Sequence, residues 1–304
     1  MEESTQSHTT RNVLIALALL AVVFVGCCGC FAAGLAAVRT VGQVTLSSGI
    51  PRMQFNLQGL GDRDERVRAE RAFSETFRTG DGGHLVVNVP VGEVRIEGTD
   101  GDTVVVSGRV TARGSDDATA QEKLARYRLD IARDGTTVRV TGEVDQPAGG
   151  WRNNPPQVDL TVRVPRDTSV EVDGDVGDVR LEGTAADADI QTDVARVVLA
   201  DVSPAEKLTV RTGVGAIEFD GTLVDGASYE FRSDVGAIRI RVPRDSRFEL
   251  DASSGMGAVR CDFPVEGQSS GGLPGRSLKG AVNGGGDTTV KAESGVGAIS
   301  VESR

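Results

Sequence analysis

LTVRTGVGAIEFDG, residues 208–221, holds two short runs of alternating apolar and polar residues joined at a Val-Gly-Ala corner. Alternation with a period of two marks a half-buried strand, and the glycine marks the place where the chain turns from one strand to the next. Neighbouring segments repeat the pattern. VGDVRL starts at 176, VARVVL at 194, VGAIEF at 214, VGAIRI at 235, MGAVRC at 256 and VGAISV at 296, at intervals of 18, 20, 21, 21 and 40 residues, the last equal to two periods of 20. An earlier copy, VGEVRI at 91, precedes the one at 176 by 85 residues, close to four periods. Self-similarity at a fixed short interval indicates a repeat architecture in which no unit buries its apolar face alone.

Ahead of the successive corners lie SVEV, ADI, LTV, YEF, FEL and TTV. A unit is therefore two short strands around a tight corner, with Gly177, Gly215, Gly236, Gly257 and Gly297 just after an apolar anchor. Without a Cβ these positions accept positive φ or close backbone approach. Equivalent strands of successive units should stack about 4.8 Å apart, giving an all-β, parallel β-solenoid or β-helix-like domain of ~20-residue coils. Some eleven coils would extend to roughly 50 Å. Period two turns Val172, Ile190, Val210, Phe231 and Leu250 inward before the corner, and Val179, Leu181, Ile217, Phe219, Ile238, Ile240, Val259 and Cys261 inward after it. Glu171, Asp189, Thr209, Glu230 and Glu249 then face out on one wall, and Arg180, Glu218, Arg239 and Arg260 on the other. One wall reads as acid-rich and the other as Arg-rich, with Cys261 a buried small hydrophobe.

The 304-residue chain has 39 glycines and few aromatics, a composition of turn-rich β structure. Its formal charge is −11, and residues 1–40 cancel internally, so the excess acid lies beyond them. Such a domain repels phosphate backbones, which excludes a nucleic-acid role. Three of the four cysteines, Cys27, Cys28 and Cys30, sit in one apolar segment, so no disulfide framework staples the remainder.

That segment, residues 13–38, carries no charge, and as a helix it exceeds the ~30 Å of a bilayer's hydrocarbon core. It is longer than the ~7–15 residues of a signal h-region, so a spanning signal-anchor helix is expected rather than a cleaved signal. A leading apolar segment normally carries the chain behind it across the membrane. Residues 1–12 then form a cytoplasmic leader, and the large C-terminal part lies outside the cell membrane. Gly26, Cys30 and Gly34 form a small-residue ribbon able to support weak helix-to-helix association, although Gly and Ala abound in spanning helices generally.

Residues 39–72 read as a juxtamembrane tether with a short helix over 63–73, and the strand pattern runs over 73–304. DDATAQEKLARY, residues 116–127, predicts a short helix capped by Asp116 or Asp117. DQPAGGWRNNPPQ, residues 145–157, predicts a loop carrying the only tryptophan. Trp151, Arg152 and Asn153 on that loop, together with the Gly-rich stretch 267–286, are the candidate partner contacts.

Several chemistries fail on context. Gly267-Gln268-Ser269-Ser270-Gly271 matches a nucleophile-elbow pattern but lacks the following helix, and His84 reads as an exposed strand residue rather than a base. Asp173, Asp175 and Asp178, or Asn283 with Asp287, lack the oxygen count and spacing of a cation site and read as solvated turn carboxylates. Neither a metal nor a cofactor is expected. An outer-wall groove of Glu171, Asp189 and Glu230 is the one arrangement a glycan-cleaving solenoid could use, and acidic ladders also serve solubility.

With these repeats laid out, the chain resembles the bacterial putative-adhesin family over residues 84–302. Its opening, HLVVNVPVGEVRIEGTDGDTVVVSG at 84–108, and strand pairs such as LTVRTGVGAIEFDG at 208–221 carry the resemblance. The resemblance implies a membrane-anchored, non-enzymatic module for cell-envelope or surface interaction, with an envelope protein or a glycan as partner. Envelope-stress sensing is the alternative that it implies, and a glycan-acting β-helix enzyme is the third reading.

Overall fold

The computed structural model describes residues 67–80, 82–145, 155–271 and 275–304. The leader, the apolar segment 13–38, the tether as far as residue 66, and Trp151, Arg152 and Asn153 lie outside the described residues. Among the described residues no helix is long and apolar enough to cross a membrane.

Four coils form the centre: β7 (Ser169–Val176) with β8 (Val179–Glu182), β9 (Ala188–Val194) with β10 (Val197–Ala200), β11 (Lys207–Val214) with β12 (Ile217–Asp220), and β13 (Ser228–Val235) with β14 (Ile238–Val242). The first strand of each coil pairs in parallel with the first strands of its neighbours, and the second with the second, so two parallel walls grow rung by rung. Val172, Ile190, Val210 and Phe231 stand in register on one wall, and Leu181, Leu199, Phe219 and Ile240 on the other. All eight are buried in one hydrophobic cluster. The Phe219 ring centroid lies 5.6 Å from that of Tyr229 and 5.5 Å from that of Phe231. At ~1.5–3 kcal/mol per buried Val, Leu, Ile or Phe, this column is the main favourable term in folding. VGAIEF and VGAIRI lie side by side, Ile217 opposite Ile238 and Phe219 opposite Ile240, as the twenty-residue interval requires.

The two ends depart from chain order. β2 (His84–Thr99) turns its own corner at Gly92 and contributes to both walls. It lies between β7/β8 and the rung of β5 (Thr137–Val144) and β6 (Gln157–Pro165), although β6 and β7 are adjacent in sequence. β3 (Thr103–Gly114) and β4 (Tyr127–Asp134) come next as an antiparallel rung, and β1 (Val67–Arg78) pairs antiparallel with β3. At the opposite end, β19 (Thr289–Val296) and β20 (Ile299–Ser303) lie between β13/β14 and the rung of β15 (Phe248–Met256) and β16 (Val259–Cys261). β18 (Arg276–Val282) then pairs antiparallel with β15, and β17 (Val265–Gly271) with β18. Nine rungs result among the described residues, eight of two strands and one of β2 alone, against some eleven expected.

The interval of 40 therefore conceals no extra coil. It holds the β17–β18 hairpin, after which the chain returns to fill a slot one rung back. The interval of 85 likewise holds antiparallel strands and a helix rather than four coils. Charge favours the slot taken by β19. Lys291 stands between Glu230 and Asp251, whereas direct pairing of β13 with β15 would set two carboxylates side by side.

Three further expectations are corrected. Residues 67–73 belong to β1 and not to a helix, because Val67–Arg78 finds a full-length partner in β3, and pairing outweighs the helical propensity of its Ala, Glu and Arg. The walls are not acid and Arg: Arg196–Glu218 at 2.8 Å, Arg239–Glu302 at 3.3 Å and Arg304–Asp220 at 2.7 Å lace one, and Arg211–Glu230 at 3.2 Å and Arg232–Glu293 at 3.0 Å the other. Cys261 is half-buried near the end of its wall rather than enclosed, and burial still pushes its thiol up. The predicted helix is present as α1 (Asp117–Ala125), and its cap is Asp116, whose carboxylate accepts from the Thr119 amide at 2.8 Å.

Candidate interaction surfaces

The corner brings backbones of successive rungs into contact. Gly215 has φ +148°, and a Cβ on it would overlap the Ala195 carbonyl. The same approach recurs at Gly177 over Gly92, Gly236 over Gly215, Gly297 over Gly236 and Gly257 over Gly297. A hydroxyl three residues before the corner closes four of these joints, all but that at Gly177: Thr212 donates to Ala195 O at 3.3 Å, Ser233 to Gly215 O at 2.9 Å, Ser294 to Gly236 O at 2.9 Å and Ser254 to Gly297 O at 2.8 Å. Sequence reasoning missed these hydroxyls, although a Ser or Thr stands two residues ahead of Val214, Val235 and Val296 once the corners are aligned on that valine.

Between hydroxyl and glycine sits an apolar residue that faces solvent. Val91, Val176, Val194, Val214, Val235, Val296 and Met256 are consecutive partners across seven rungs. Val176, Val194, Val214, Val235 and Met256 are 48, 45, 36, 37 and 47 % exposed. They form a continuous apolar ridge along the corner, the kind of exposed apolar line that a soluble surface rarely carries without a use.

A second feature lies on the outer face where β13, β19, β15 and β18 run together. Glu230, Lys291, Asp251 and Lys279 succeed one another across the four strands, with Ser228, Thr289 and Glu249 in the adjacent row. These residues line a groove of 330 Å³, within the range of small-ligand sites. Lys279 reaches Asp251 at 2.8 Å, and Lys291 reaches Glu293 at 3.0 Å. The hydrogen bond and charge of Glu293 hold the Lys291 ammonium above its ordinary range, with Glu230 and Asp251 adding to the effect. Lys279 comes from the Gly-rich stretch 267–286 singled out in the sequence; Trp151, Arg152 and Asn153, on the other predicted contact loop, lie outside the described residues.

The residues of the elbow-like and acidic patterns lie on β7 and β17 and at turns. Ser269 lies on β17, paired with Leu278 of β18, so the residues of the elbow-like pattern run along an extended ladder. Asn283 donates from its side chain to Arg244 O at 3.1 Å and Ser246 O at 2.8 Å, clamping a turn. Burial raises the Asp175 carboxyl, with Asp193 and Asp173 adding repulsion. His84 is less solitary than its sequence position suggests. Its Nδ1 lies 2.8 Å from Ser169 Oγ, and its Nε2 lies 3.6 Å from Glu171 Oε2. The amides around this chain are engaged, Ser169 with Gly83 O at 2.9 Å, His84 with Thr136 O at 3.1 Å and Gly82 with Asp167 at 3.0 Å. They offer no pair of free donors for an oxyanion, so the arrangement links β2 to β7 and is not assigned a reaction.

The geometry defines a class: a two-walled β-solenoid scaffold with a groove and an apolar ridge on its outside. Residues 159–302, from β6 to β20, match the family model of Toastrack DUF4097. Among solved structures, the chain is similar to a putative cell adhesion protein from Clostridium sporogenes, at 14% identity and a TM-score of 0.42, covering 77% of this chain and 100% of that one. It is similar to a putative adhesin from Bacteroides fragilis, at 14% identity and a TM-score of 0.40, covering 76% of this chain and 97% of that one. It is also similar to a putative lipid binding protein from Parabacteroides distasonis, at 12% identity and a TM-score of 0.31, covering 76% of this chain and 96% of that one. No curated protein matches the chain.

Proposed function

We propose that this chain is a non-enzymatic, adhesin-like interaction module of the cell envelope, held by the apolar segment 13–38, whose groove on β13, β19, β15 and β18 receives a glycan. The observation that carries this reading is the alternating row Glu230, Lys291, Asp251, Lys279, with the hydroxyls of Ser228 and Thr289 beside it. A polyhydroxylated ligand needs acceptors and donors in close alternation. Four hydrogen-bonded strands fix their backbones at intervals of about 4.8 Å, so ordering entropy is lost in the side chains alone. Charge-assisted hydrogen bonds from carboxylates and ammoniums are about twice as strong as neutral ones, which suits a shallow site without aromatic stacking.

The test is co-sedimentation of the full chain, in membranes, with isolated envelope polysaccharide. Asp251→Ala combined with Lys291→Ala should reduce retention about tenfold, which corresponds to about 1.4 kcal/mol. Retention equal to that of the parent protein would remove the groove from the function. A topology assay with tags at both ends should place the C-terminus outside the membrane, and a cytoplasmic C-terminus would overturn the envelope assignment.

A further inference from the structure

We infer that the corner ridge is a self-association surface whose occupant is a second copy of this chain, packed antiparallel across a twofold axis. This inference is independent of the groove and of any glycan. The ridge changes character along its length. Around Val176 and Val194 the corner reads Asp175-Val176-Gly177-Asp178 and Asp193-Val194-Ala195-Arg196. In the last four rungs it reads Gly213-Val214-Gly215-Ala216, Asp234-Val235-Gly236-Ala237, Gly295-Val296-Gly297-Ala298 and Gly255-Met256-Gly257-Ala258. Only Asp234 is charged there, and Arg232 lies 3.5 Å from it.

Three physical arguments select a second copy. A chain of net charge −11 repels itself over most of its surface, and these four rungs are a stretch where that repulsion vanishes. The apolar side chains recur at the strand spacing of about 4.8 Å, and another copy of the same corner presents its own at that pitch by construction. Glycine follows every side chain of the row and precedes all but Val235, so almost no neighbouring side chain stands between these Val and Met side chains and those of an opposed ridge.

The order across the rungs is Val214, Val235, Val296, Met256. A twofold axis through the middle sets Val235 against Val296 of a second copy, and Val214 against Met256. Four such side chains fall well short of the ~20–30 residues a side of a stable interface, so the contact is weak between free molecules and gains from confinement in one membrane.

The experiment uses the full chain in liposomes, with Cys27, Cys28, Cys30 and Cys261 replaced by serine. Vesicles containing both V235C and V296C chains should form oxidative cross-links at least fivefold above vesicles containing either variant alone or the outer-face control R239C. Adding Val214→Asp and Met256→Asp should return the yield to the control level while leaving circular dichroism and the melting temperature unchanged, which separates loss of contact from loss of fold. Equal yields for all the cysteine variants would overturn the inference. So would preferential 235–235 and 296–296 linkage, which a parallel arrangement gives.

Discussion

Tyr127 shows how a single side chain ties this fold to pH. It is buried, its hydroxyl has no hydrogen-bond partner among the described residues, and the phenol packs against Gly142. Burial raises its pKa to about 12, with Arg71 nearby opposing the shift. An unfolded tyrosine titrates near 10, so the unfolded chain releases its proton first. Stability is therefore intact below about pH 10 and falls by roughly 2–3 kcal/mol as pH rises toward 12. Tyr127→Phe removes an unsatisfied polar atom and should stabilise the protein by about 1 kcal/mol at neutral pH. Urea unfolding across an alkaline series should show a shallower loss in the variant, leaving the part due to Tyr229, which burial also raises. A second residue-scale contrast concerns the corner. Gly215→Ala forces a Cβ into the Ala195 carbonyl and should cost about 2–4 kcal/mol. Gly226→Ala, also at positive φ but with open space around it, should cost about 1 kcal/mol, and melting curves of the two distinguish close approach from backbone angle alone.

At the scale of elements, α1 and the corners differ in how they are held. The Asp116 carboxyl is kept below its ordinary range chiefly by the Thr119 amide, so its capping contribution is present above the unfolded pKa near 4 and is lost as pH falls through the lower folded value. Asp116→Ala should raise amide exchange in residues 117–125 at neutral pH and erase the acid-induced increase seen in the parent, with exchange in β11 and β13 unaffected. This helix is legible in its residues because capping and i, i+3 spacing are local. The inward positions Val210, Phe231 and Leu250 are equally legible, since period two is fixed by the pleat wherever a strand forms. Thr209 is the exception: it occupies an outward position yet is 1% exposed, between Asp189 and Glu230 on the flanking strands. The solvent-facing Val214 and Val235 look like anchors in the sequence because apolarity reveals hydrophobicity but not direction at a corner, where the alternation breaks. His84 with Ser169 and Glu171 is not legible at all, because the partners stand 85 and 87 residues away and meet only through the pairing of β2 with β7.

For the whole molecule, the decisive fact is that both ends of the stack are filled out of order. Spacing could not show this, because an interval of 40 allows a hidden coil or a hairpin equally, and only the pairing of β19 with both β13 and β15 separates them. Lys291 stands as a cation between two acidic rows only once that pairing is made. A chain truncated after residue 286 loses a rung from the inside rather than from an edge. Val290, Ile299 and Val301 alone account for about 5 kcal/mol of burial, comparable with the net stability of a domain. Hydrogen exchange should rise across 248–282 as well as in β13 and β14, and retained protection of 248–282 would show that the end rung stands without β19. Formation of each end awaits a segment distant in sequence, so folding should be slower than for a simple sequential stack of the same length.

The insertion of remote segments near both ends also shapes how such a protein can change size. β2 and β19/β20 each lie between rungs formed by other parts of the chain, so a coil added beside them would disturb pairings made over a long sequence distance. Growth is simplest in the interior, where β9 to β12 pair with neighbours of identical geometry. Duplicating one coil there would lengthen the array by about 4.8 Å and add one more valine to its corner, while both closures stayed as they are.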